Sequence, residues 1–363
     1  MRKIGKDSLR LRPVFFVSLG LASLALLLHL LSAEIPAFAD FWSKNAAFPI
    51  RACLAYLSAL SPVSLVEAAI ITSPMWIALL FLCIRRAIKD PQKTARLLSL
   101  VLSVPFLLYT LFVFSFGTGY YTTPLADRLA LEEEAPDKEN LSFLTLYLAQ
   151  KAEECAKEAG TFVGSDGSKM PYSYAEMNTK LIRAYEAVDH THGILHTFPV
   201  ATKPIALSHP MAFTHITGVY TFMTGEMNVC TALPDFSTAF TAAHEMAHAR
   251  GIAREDEANF VAFLVLEASD DPYLRYAGYM NLLQYVSNAL YDTDPAAYRT
   301  VFMTYSDTVV AELRAYNAVL NEYSGSVASE IAGSINNAYL ESMGTEGTVS
   351  YDLVVRLAVR YFN

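Results

Sequence analysis

The chain has 363 residues, 53% of them hydrophobic and only 17% charged, with a mean hydropathy of +0.28 and a formal net charge of −9. That length allows one membrane region plus one soluble domain with a sizeable core. Charge is divided along the chain: residues 1–116 hold 12 Lys+Arg against 5 Asp+Glu, while the remainder is net −16. So acidic a distal part excludes nucleic acid as a partner, because nothing there neutralises a row of phosphates.

Three apolar runs have the length of a membrane span: Val14–Ala33, about 62–84, and 97–116. The first contains His29 as its one strongly polar residue. It is longer than a signal-peptide core, and Ser32-Ala33-Glu34 is a poor cleavage site, so it reads as an uncleaved anchor. Glu67 lies near one end of the second run, within reach of the headgroups. Pro74 and Pro105 are tolerable kinks. Basic clusters set the orientation. Arg2, Lys3, Lys6, Arg10 and Arg12 precede the first run; Arg85, Arg86, Lys89, Lys93 and Arg96 lie between the second and third. Both clusters belong in the cytoplasm, which puts the 34–61 loop and everything after Phe116 outside it. The expectation is a multi-pass protein of the plasma membrane, in contact with the lipid bilayer, with a cytoplasmic N-terminus. Cys155 and Cys230 would both be extracytoplasmic and could pair.

Residues 117–140 read as a linker, its charged part being Glu132–Asn140, and 141–363 as one folded domain. Leu141–Ala159 and Tyr172–Asp189 have helical periodicity, with a Gly- and Ser-rich loop, Gly160–Lys169, between them. Residues 203–230 suggest two or three short strands; Val219–Thr224 is the best of these and a possible substrate-pairing edge. Helices follow at Phe236–Arg250, Glu255–Ala268, Pro272–Tyr291 and Pro295–Tyr323, then two shorter pieces. The fold class is α+β, mostly helical, with a small sheet before the motif helix.

The chemistry lies in His244-Glu245-Met246-Ala247-His248. Two histidines four apart on a helix project from one face and can bind one metal. Glu245 sits on the edge of that face, where a carboxylate can take a proton from water without ligating. Gly251 falls where a left-handed residue would turn the chain back. Glu255, Glu257 and Asn259 then open a second helix, with carboxylates in reach of the histidines. Zn2+ suits two imidazoles and a carboxylate.

HEMAH followed by Glu255-Asp256-Glu257-Ala258-Asn259 resembles the gluzincin metallopeptidases. The resemblance implies that Glu255 is the third ligand and that Asn259 supports a histidine ligand; Glu257, an acid two residues further on, is the alternative ligand. It also implies a zincin-like catalytic domain acting on extracytoplasmic protein or peptide substrates. The wider arrangement, three spans followed by Gly225–Val229 (GEMNV), HEMAHARG and REDEANF, resembles an uncharacterised bacterial family of polytopic membrane proteins with a predicted zincin domain. Only six residues separate His248 from Glu255, a spacing nearer the metzincin pattern, whose third ligand would fall on Arg254. Arginine cannot ligate, which excludes that class. His190, His192, His196, His209, His215, Tyr220 and Tyr351 are candidates for stabilising an oxyanion. The alternative function is a non-catalytic membrane sensor or scaffold on the same fold.

Overall fold

A computed structural model describes residues 11–165, 167–343 and 351–363, without the side chains of Tyr351 and Asp352. The basic residues Arg2, Lys3, Lys6 and Arg10 lie outside the described residues. The chain is mostly helical, with three helices long and apolar enough to cross a membrane. These are α1 (Pro13–Glu34), α4 (Leu65–Ala87) and α5 (Pro91–Ser115). Small residues let α1 and α5 pack closely: Ser18, Ala22, Ala25 and Ser32 meet a face of α5 carrying Ala95, Ser99, Ser103 and Thr110. His29 is satisfied by the hydroxyls of Tyr109 and Tyr121, at 3.1 and 2.8 Å.

Residues 34–61, expected as a loop, are helical instead: α2 (Pro36–Trp42), one π-helical turn (Ser43–Ala47) and α3 (Phe48–Ala59). None of the three pieces is long enough to span a bilayer by itself, and the run packs into the domain through Phe48 and Ala55. Nor is Glu67 a headgroup residue. Its carboxylate accepts the backbone N–H groups of Ala206 and Leu207, while Glu226 accepts those of Leu65 and Val66 at the N-terminus of α4. A carboxylate is favoured at that end of a helix.

After α5 a 3-10 turn (Gly117–Tyr121) and the short α6 (Leu125–Arg128) are mostly buried, so of the expected linker only residues 122–124 and 129–137 lack regular structure. α7 (Lys138–Ala159) follows. The expected loop at 160–169 contains a hairpin of β1 (Val163–Gly164) and β2 (Gly167–Ser168), with Ser168 N–H held by Glu312. Next come α8 (Tyr174–His192), β3 (Lys203–Pro204), the short α9 (Ser208–Ala212), β4 (Gly218–Thr221) and β5 (Glu226–Val229). The sheet order is β3-β5-β4, with β3 parallel and β4 antiparallel to β5, so β4 lies at an edge.

α10 (Asp235–Ala249), α11 (Glu255–Glu267) and α12 (Pro272–Thr293) form the centre of the domain, flanked by α7, α8 and the sheet. The expected helix 295–323 is two helices, α13 (Pro295–Phe302) and α14 (Asp307–Glu322), because Ser306 caps the second by accepting Val309 N–H. The chain ends with α15 (Val327–Ser342) and α16 (Tyr351–Phe362), the latter packed on α11 through Tyr361 and Phe362. Cys155 and Cys230 are both buried free thiols in separate clusters, so the suggested pairing is not formed.

Candidate metal centre

α10 is an alanine-rich helix with Asp235 in its first turn, where a carboxylate is favoured. Every residue in it is buried except Asp235 and His244. Its C-terminus closes as the glycine predicted: Gly251 has φ +99°, Gly251 N–H bonds His248 O, and Ile252 N–H bonds Ala247 O. The same reversal carries the Ile252 carbonyl to 2.7 Å from His248 Nδ1. A carbonyl only accepts, so Nδ1 carries the proton and the Nε2 lone pair faces away from it.

That lone pair faces Glu255, the first residue of α11. Glu255 places its two oxygens 3.2 Å from His244 Nε2 and 3.5 Å from His248 Nε2. One ligand atom from each of the three residues lies within 4.8 Å of the others. Atoms that converge at this distance can share a proton or a cation, and two imidazoles with a carboxylate are a donor set that fits zinc. Without a cation, a proton takes that place: burial opposes charge on His248, but Glu255 and Glu245 together raise it to about 9. Burial also works against Glu255, yet the two histidines hold it well below the usual carboxylate range.

Glu245 is buried beside the cluster, and its Oε2 has no hydrogen-bond partner among the described residues. Burial pushes its carboxyl up to about 7, against the pull of His244 and His248. Gly218, the first residue of β4, covers it so closely that a Cβ there would strike the carboxylate and Thr241. Tyr220, two residues on, sets its ring 6.5 Å from that of His248; its buried hydroxyl is unpartnered.

Glu257 does not join the cluster. It accepts Leu125 N–H and pairs with Arg254 at 2.8 Å and Arg128 at 3.7 Å, on the other side of α11. Asn259 is buried but, among the described residues, bonds neither histidine; the Ile252 carbonyl takes the role expected of it for His248. Of the other candidates, His209 and His215 bond Tyr323, His196 packs against Phe48, and His190 and His192 are exposed at the end of α8. The side chain of Tyr351 lies outside the described residues.

Several contributors were not foreseen. Arg51, fully buried, donates from Nε to Ala249 O and from Nη1 to Ser115 O at 3.1 and 2.7 Å. It thereby caps the C-termini of α10 and α5 together. Arg254 donates to the carbonyls of Tyr120 and Thr122 and so holds the start of α11. Tyr120 and Tyr339 bond each other beside Glu255. A lone arginine in the apolar run 48–59 was the available signal for Arg51; nothing near Tyr339 marks it.

A family model described as "Protein of unknown function (DUF3810)" matches residues 43–359. The chain belongs to that family. No curated protein and no solved structure matches. The matched stretch takes in α4, α5 and every residue of the candidate site, and begins after α1.

Proposed function

We propose that this chain is a membrane-anchored, zinc-dependent peptidase with a zincin-like catalytic domain. The observation that carries the reading is the convergence of His244, His248 and Glu255 beside a buried Glu245 with one unpartnered oxygen. Zinc held by those three residues would acidify a water and polarise the scissile carbonyl. Glu245 takes the proton of the attacking water and delivers it to the departing amine as the C–N bond breaks. His248 is kept in its ligating tautomer by Ile252. The β4 edge pairs with the substrate backbone, and the Tyr220 hydroxyl, which has no hydrogen-bond partner among the described residues, serves a developing oxyanion.

The geometry of the apolar helices supports the expected topology. The backbone N–H of Arg12 bonds Ser99 Oγ, so α1 and α5 run parallel, with the 85–96 basic cluster at the α4–α5 turn, away from the domain. Read with the positive-inside rule, this favours a site outside the cytoplasm, on the cell-surface side of the plasma membrane.

The test uses the full-length chain in nanodiscs. We expect one zinc per chain by elemental analysis, and cleavage of a peptide library that a chelator and Glu245→Gln both abolish. Zinc bound without hydrolysis would instead support a non-catalytic sensor or scaffold.

A further inference from the structure

Alternate residues of an extended strand share a face, and along β4 that face runs from the site to the flank of the third apolar helix. Gly218 lies over Glu245. Tyr220 puts its ring 5.1 Å from that of Phe116, the residue that ends α5. Phe222, just past the strand, puts its ring 5.2 Å from that of Phe112, in the last turn of α5. Four residues, roughly 13 Å of extended chain, thus separate the general base from the apolar segment. The same face of α5 continues at four-residue steps through Leu108 and Val104, exposed at 39% and 54%. It lies opposite the small-residue seam that packs on α1.

A helix borders the same path. α15 starts where Ser326 Oγ donates to the carbonyl of Phe213, five residues before β4. Near its end Tyr339 packs on Phe112 and bonds Tyr120. Of its residues only Leu340 is buried, and Val327, Ile331 and Ile335 form an exposed apolar row.

We propose that the substrate is the juxtamembrane segment of an integral membrane protein, its backbone paired on β4 and its span resting on the exposed Leu108–Val104 face of α5, just beyond Phe112, which is itself buried. This rests on the peptidase reading and names its substrate class. A chain laid on β4 with its scissile bond at Glu245 reaches Phe112 within a few residues. There its next segment meets apolar surface that water does not favour and a hydrophobic helix does. A free peptide in water gains nothing from that face.

The test presents one randomised segment in three forms to the full-length zinc-loaded chain. In the first it adjoins a single-span helix reconstituted in the same vesicles. In the second a long flexible Gly/Ser spacer separates it from that helix; in the third it is a free peptide. Both anchored forms share the advantage of confinement to the vesicle, so their ratio isolates the position of the segment. We expect the adjoining form to be cut at least about tenfold faster than the spaced form, a few residues from the span. In an inactive Glu245→Gln background, Met223→benzoylphenylalanine should crosslink the adjoining reporter, a readout that needs no turnover. Equal cleavage of the two anchored forms, whatever the rate for the free peptide, or absence of the crosslink, overturns the substrate assignment and leaves the peptidase standing. Failure to cut any form overturns the peptidase reading and this inference with it.

Discussion

Two helices of this molecule have opposite relations to their surroundings. α4 is among the most apolar segments of the chain, yet it buries only Ala87 and exposes Ile70, Ile77 and Phe81. α10 carries two histidines and a glutamate and buries nearly all of itself. In water this would be an inversion. It is the expected order if α4 is solvated by hydrocarbon, where apolar surface costs nothing to expose. In α10 the polar groups are tolerated because most have partners: His248 has Ile252, and Arg250 has the carbonyls of Met246 and Phe198. Glu245 Oε2 and His244 Nδ1 have none among the described residues. A buried group left unpaired costs about 1–3 kcal/mol, and such groups cluster where chemistry is done.

The comparison breaks outright if α4 does not cross a bilayer. In a background lacking Cys53 and Cys83, an impermeant maleimide on intact cells should label Lys44→Cys and Asn363→Cys and leave Lys89→Cys untouched. Labelling only at 89 would put the site in the cytoplasm. For α10, Glu245→Gln should lower kcat by about a thousandfold with zinc content unchanged, whereas His244→Ala should lose both. A Gln variant as active as the parent would remove the general base from the account. The two acids of α11 sharpen the contrast between ligating and structural charge. Glu255→Ala should lose zinc. Glu257→Ala should keep the three ligands but destabilise the chain by about 3–5 kcal/mol, since Arg254 and Arg128 lose their buried counter-ion; urea unfolding in detergent reads this directly. Arg51→Met, which strips the carbonyls of Ala249 and Ser115, should cost about 1–3 kcal/mol in the same assay. Ile77→Ala on the exposed face of α4 should change stability by under about 0.5 kcal/mol.

What the sequence made legible follows the range of each interaction. The two histidines of the cluster share one helix at i, i+4, and Gly251 and Glu255 follow within a few residues, so that pattern could be read locally. The preference for Glu255 over Glu257 rests on the gluzincin resemblance and on Asn259, since the periodicity of α11 favours neither; the structure seats the two acids on different sides. Interactions across the chain were not readable. Glu67 resembles a headgroup residue until Ala206 and Leu207 are seen to bond it. Asn259 looked like the histidine's support because a side chain can be inferred from sequence, whereas the acceptor is a backbone carbonyl delivered by a helix reversal. The break at Met303–Ser306 was missed because apolar periodicity runs on through it, and only the serine cap marks the restart.

Arg51 has a consequence for modularity. It comes from the segment between α1 and α4, yet its guanidinium joins the end of α5 to the end of the motif helix. Glu226, in turn, ties the sheet to the start of α4. The chain therefore offers no clean cut point between anchor and domain. A fragment starting at residue 117 would lack the side chain that closes α10 one residue after His248. Shedding from the membrane would be a way of switching such a protein off, not of releasing it.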